Sequence, residues 1–167
     1  MKMTSAEANK LLRKIFEEHR TLRSRENEEC SFVAATVENI EDARPDYSYS
    51  DTQEKLAEYE AAIRKVKHAV NMFNVSQEVP GTGMTIDQIL VYIPQLTERK
   101  RKLSILRSAQ KKQRKDSYRG TNLIEYEYAN YDIEKADADY QAVTDELAKI
   151  QNALDLVNST VQFEVDM

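Results

Sequence analysis

The chain has 167 residues, 32% of them charged, with three Gly, three Pro, one Cys and no Trp. The length suits one domain, and so few turn residues exclude a loop-rich or all-β protein. A single Cys excludes an internal disulfide framework, and the net charge of −5 hides a strong polarity along the chain.

The first helix is expected from Thr4, with Glu7 completing a capping box and Leu12, Ile15, His19 and Leu22 forming its apolar seam. This pattern weakens after Arg25, and residues 30–50 carry no clear period. Ser31 to Val37 holds Phe, Val and Thr and suits an extended segment. Pro45 ends any helix before it. Cys30 follows two glutamates, which disfavour a thiolate, so it reads as a small reduced hydrophobe.

A second helix is predicted from Leu56, Tyr59, Ile63, Val66, Val70 and Phe73, at spacings of three and four. Ser50 with Gln53, or Asp51 with Glu54, offers a capping box in front of it. Asn71 and Asn74 suit a left-handed terminus. Gly81 and Gly83 mark the following turn. Thr85 and Gln88 then open a third helix with Ile86, Ile89, Ile93, Leu96 and Leu103 on its seam. Pro94 inside that pattern predicts a kink or a restart.

The fourth helix is the most regular. Ile133, Ala136, Tyr140, Val143, Leu147, Ile150, Leu154, Val157 and Val161 alternate spacings of three and four, behind Asp132 as N-cap. Ile124–Tyr128 and Val161–Val165 have the period of a strand and predict a small β element at one end of the helices. The fold class expected is therefore all-α, an elongated four-helix bundle or coiled coil of two helical hairpins within one domain, 1–167. A shift of about 84 residues lays the second seam on the fourth, which suggests a repeat of 5–74 in 89–158 with pseudo-twofold symmetry.

Residues 1–98 hold 12 basic and 17 acidic groups, 99–115 hold nine basic and none acidic, and 116–167 hold three and 12. Arg99, Arg101, Lys102, Arg107, Lys111, Lys112, Arg114 and Lys115 are the candidate contacts for an anion or nucleic acid. The competing expectation is internal: the run reads as the last half of the third helix. An antiparallel fourth helix would bring Asp132, Glu134, Asp137 and Asp139 beside it. Tyr126, Tyr128, Tyr131 and Tyr140 are candidate interface residues, since tyrosine suits a partly wet contact. Tyr118 and Gly120 fall in the connection before the fourth helix.

His19 and His68 stand 49 residues apart, and neither follows a Glu by three positions as a di-iron bundle requires. His19 reads as a satisfied interior residue. Two His and one Cys make no convincing transition-metal site. Neither a phosphate-binding loop nor a nucleophile elbow is present. No enzyme, metal or cofactor is therefore expected. The longest apolar run, Ile89 to Ile93, is too short for a membrane span or a secretory leader. A cytoplasmic protein follows, with a dimer favoured because the helical seams are narrow.

Several phrases occur together: Phe32-Val33-Ala34-Ala35, Arg44-Pro45-Asp46-Tyr47, Lys67-His68-Ala69-Val70-Asn71, Met84-Thr85-Ile86-Asp87 and Tyr92-Ile93-Pro94-Gln95-Leu96-Thr97. With Asn130-Tyr131-Asp132 and Leu154 to Thr160, they resemble a family of uncharacterised bacterial helical proteins, and more distantly the septicolysin-like proteins. The resemblance implies a short helix-rich fold and no activity. The leading expectation is a self-associating structural or protein-interaction module. The alternative is non-specific nucleic-acid association through 99–115.

Overall fold

A computed structural model describes residues 1–115 and 124–166; Tyr118 and Gly120 lie outside them. In chain order come β1 (Lys2–Thr4), α1 (Ser5–Glu29), α2 (Ile40–Ala43), α3 (Tyr49–Ser76), β2 (Glu78–Val79) and β3 (Met84–Thr85). They are followed by α4 (Ile86–Arg107), β4 (Lys112–Lys115), β5 (Glu125–Tyr128), α5 (Ile133–Thr160) and β6 (Gln162–Glu164). The protein is thus mostly helical, with small antiparallel strand pairs: β1 with β6, β2 with β3 and β4 with β5. It divides into two compact units, 1–76 with 156–167, and 77–155.

In the first unit, α1 starts where its cap dictates. Glu7 N–H donates to Thr4 Oγ1, and Thr4 N–H donates to Glu7 Oε2 at 2.8 Å. α1 and α3 run antiparallel, with His19 Nε2 3.8 Å from Glu60 Oε1 and Lys67 Nζ 5.3 Å from the Phe16 ring centroid. Met3, Ala8, Leu12, Val66 and Val165 form the core, with Ile63, Val70 and Phe163 packed on it. Phe163 stacks on Phe73 at 4.5 Å between centroids.

Several expectations are corrected in this unit. Ser48, rather than Ser50 or Asp51, caps α3: its Oγ accepts from Asp51 N–H and its carbonyl from Thr52 N–H. α3 continues past Asn71 and Asn74 to Ser76, and no described non-glycine residue has positive φ. Ser31–Val37 forms no strand. Val33 and Val37 are more than nine-tenths exposed, so no neighbouring sheet gives their backbone a partner. Instead Asn39 caps the short α2, which stops at Ala43 before Pro45. Cys30, read as a small reduced hydrophobe, is a free thiol exposed at the C-cap of α1.

In the second unit, β2 and β3 flank a turn in which Gly81 and Gly83 hold φ of +77° and +65°. Only glycine adopts such values without a steric penalty. Thr85 and Gln88 form the expected capping box. α4 then passes through Pro94 without restarting. The ring removes the hydrogen bond to Leu90 O, and Leu90 and Pro94 lie on an exposed face of the helix. Ile86, Ile89 and Leu96 are at most 1% exposed. Full burial of side chains this size contributes about 1.5–3 kcal/mol each. On α5, Ala136, Val143, Leu147, Ile150 and Leu154 are buried, and Asp132 Oδ1 caps the helix by accepting from Glu134 and Lys135 N–H.

The basic run is not one helix. α4 ends at Arg107, and Lys112–Lys115 forms a strand. The two strand-like segments of the sequence are both strands, but each pairs elsewhere: Glu125–Tyr128 with β4, and Gln162–Glu164 with β1.

Candidate functional site

The C-terminal end of α4 and the start of α5 meet through charge and ring contacts. Arg107 Nη1 lies 3.0 Å from Asp137 Oδ1, and its guanidinium carbon sits 3.9 Å from the Tyr140 ring centroid. Lys100 reaches the same ring at 5.7 Å. Tyr131 donates its hydroxyl to Leu106 O at 2.8 Å, satisfying a carbonyl in the last turn of α4. Further along, Tyr92 donates to Glu146 at 2.8 Å. That bond, ahead of desolvation, pushes the Tyr92 hydroxyl pKa up.

The candidate cations therefore divide. Arg101 pairs with Glu98 through two bonds of 2.7 and 3.0 Å, which hold the Glu98 carboxyl below its usual value. Lys111 approaches Glu134 at 3.7 Å and Lys115 approaches Glu127 at 3.8 Å. Among the described residues, Arg99, Lys102, Lys112 and Arg114 enter no ion pair. Glu134 and Asp137 do meet the basic run, as an antiparallel fourth helix predicts. The contact falls at its middle, because the chain leaves the helix at Ser108.

β4 and β5 bring together two sets of residues that the sequence kept apart. Their register sets Lys112 opposite Tyr128, Gln113 opposite Glu127, Arg114 opposite Tyr126 and Lys115 opposite Glu125. Opposed residues share a face, so Lys112, Arg114, Tyr126 and Tyr128 lie on one side of the pair. Lys112 Nζ stands 4.0 Å from the Tyr126 centroid and 5.5 Å from that of Tyr128. The two rings are tilted, 6.5 Å apart. Every residue of both strands is exposed.

The backbone pattern follows from one bond. Ala129 N–H donates to Lys111 O, so 111 and 129 are a hydrogen-bonded pair. In an antiparallel ladder such pairs recur at every second residue. Gln113 and Lys115 thus turn their backbone groups to β5. The N–H and C=O of Lys112 and Arg114 point away from it, to an edge that no described strand occupies.

The sequence singled out the eight cations and the four tyrosines separately, but not this merger. Lys112-Gln113-Arg114-Lys115 has no apolar residue to show a period, and its residues are good helix formers. The alternation of Glu125 to Tyr128 was the available signal, since a strand requires a neighbour. No group of three or more His, Cys, Asp or Glu able to hold a metal occurs among the described residues.

The fold has a solved counterpart. A crystal structure of a functionally unknown conserved protein from Corynebacterium diphtheriae aligns with a TM-score of 0.60 and 15% identity, over 98% of this chain and 100% of that one. At that identity the likeness is one of fold. No protein-family model and no curated protein matches the chain, and no septicolysin-like similarity is shown.

Proposed function

We propose that this protein is a structural or protein-interaction module rather than an enzyme, built of coiled-coil-like helical hairpins and working in the cytoplasm. It associates with a second copy of itself. The observation that carries this reading is a small exposed apolar patch on α4, away from its buried seam. The seam residues Ile86, Ile89 and Leu96 are buried within the chain, yet Leu90 and Val91 are 48% and 59% exposed beside the exposed Pro94. A seam already filled needs no partner; adjacent aliphatic side chains left in water gain by finding one. A cytoplasmic location fits the single cysteine and the absence, among the described residues, of any helix long and apolar enough to cross a membrane.

Light scattering over a range of concentrations tests the association. The expected mass rises toward that of two chains, and Leu90→Glu with Val91→Glu returns it to one. A single-chain mass at the highest concentration overturns self-association.

A further inference from the structure

We propose that the open edge of β4 is a docking site for an extended, acidic segment of a partner protein, which adds as a third strand. The inference rests on the interaction-module reading and names the kind of partner.

Four features of the strand pair converge on this occupant. Two-stranded ladders are marginal in water, and a third strand supplies what they lack. The outward N–H and C=O groups of Lys112 and Arg114 offer two donors and two acceptors in line, the requirement for strand addition. The cations beside those groups carry no ion pair among the described residues, whereas Glu127 on the other strand is already held by Lys115. Lys112 and Arg114 project from one face two residues apart, about 6.8 Å along a strand. Carboxylates at alternate positions of an extended chain have the same spacing and fall opposite them.

Charge also decides against a second copy at this edge. β4 against β4 of another molecule sets Lys and Arg beside Lys and Arg, and β5 against β5 sets Glu beside Glu. Like charges directly opposed are destabilising, and lysine-rich edges resist indiscriminate pairing for that reason. Joining β4 of one copy to β5 of the next is head-to-tail, and such contacts do not close into a dimer. An acidic strand from another protein meets none of these obstacles. Tyr126 and Tyr128, held by Lys112 on the same face, add a wet aromatic flank to the site.

The test is fluorescence anisotropy with a labelled octapeptide of alternating glutamate and threonine, added to the intact chain. Binding is expected, and it should weaken as salt rises. Lys112→Glu with Arg114→Glu should weaken it by about tenfold or more. A second arm leaves the protein unchanged and alters the probe. N-methylation of the glutamate amides, which face β4 in antiparallel register, should abolish binding, while N-methylation of the threonine amides should preserve it. Equal binding by both methylated peptides overturns strand addition, as does equal binding by a lysine–threonine peptide. Displacement of the probe by oligothymidylate at lower concentration would assign the surface to nucleic acid and overturn the proposal. Failure of the peptide with self-association intact refutes this inference alone; failure of both refutes the reading beneath it.

Discussion

Thr144 in α5 buries a hydroxyl for which no hydrogen-bond partner exists among the described residues. A buried orphan donor costs about 1–3 kcal/mol, whereas an apolar group of the same shape carries no such cost. Thr144→Val keeps the branched shape and is expected to raise stability by about 1 kcal/mol, read from denaturant unfolding. Glu7 behaves in the opposite sense. The hydrogen bond from the Thr4 backbone, then that involving its hydroxyl, holds the Glu7 carboxyl below its usual value. A lowered folded-state pKa stabilises above the unfolded value, and that contribution is lost as pH falls through the folded one. Glu7→Gln keeps a box-forming side chain, as Gln88 shows in α4. The wild-type and Glu7→Gln proteins should therefore converge in stability as acid is added, in parallel thermal melts. Tyr92 has the reverse sign: its raised pKa favours the neutral hydroxyl, so its contribution is lost as pH rises through the alkaline range. Both caps were legible because Thr-x-x-Glu and Thr-x-x-Gln act within one turn. The Tyr92–Glu146 bond spans 54 residues and left no local trace.

At the scale of elements, the long helices followed their seams, and the differences lie where a local rule met a neighbour. Pro94 was expected to kink or restart α4; it does not restart the helix, which is continuous from Ile86 to Arg107. Proline in a helix interior is about 3 kcal/mol less favourable than alanine. Packing of Ile89 and Leu96 on either side offsets that loss. Pro94→Ala is therefore expected to stabilise the protein by about 1–3 kcal/mol in the same unfolding experiment. No gain would mean that α4 is already adapted to the ring. Strands were the least legible elements. Four of the six strands among the described residues have three residues or fewer, too short to show a period, and β4 is wholly polar. The candidate site lay hidden for the same reason. Its cations and its tyrosines come from strands whose pairing is a tertiary fact, and only β5 announced itself.

At the scale of the whole molecule, we propose that the two helical hairpins are copies of one ancestral hairpin, and the element bounds sharpen the register. α3 and α5 are both 28 residues long, and they begin and end 84 positions apart. The capping threonines Thr4 and Thr85 are instead 81 apart, each preceded by Met and by a short strand. Part of the burial pattern follows the same two offsets, although the buried Leu12 and Leu56 fall on the half-buried Ile93 and Tyr140. Ser5, Ala8 and Ile15 fall on Ile86, Ile89 and Leu96, while Thr52, Val66 and Phe73 fall on Ala136, Ile150 and Val157. A seam alone carries little weight, because any two heptad helices slide into register. A shared start and a shared length are independent of that sliding. The pairing of strands fits as well, since β1 joins β6 and β2 joins β3: each time, a strand that opens one hairpin meets the strand that closes the other. The three-residue difference between the offsets is then an insertion between the first and second helices of the later copy. The measurable consequence is that, in an experimental structure, residues 5–26 superpose on 86–107 and 49–76 on 133–160 as one rigid transformation. Helices that match one at a time but not under a single rotation would leave only two heptad patterns of similar length, and the duplication would fall.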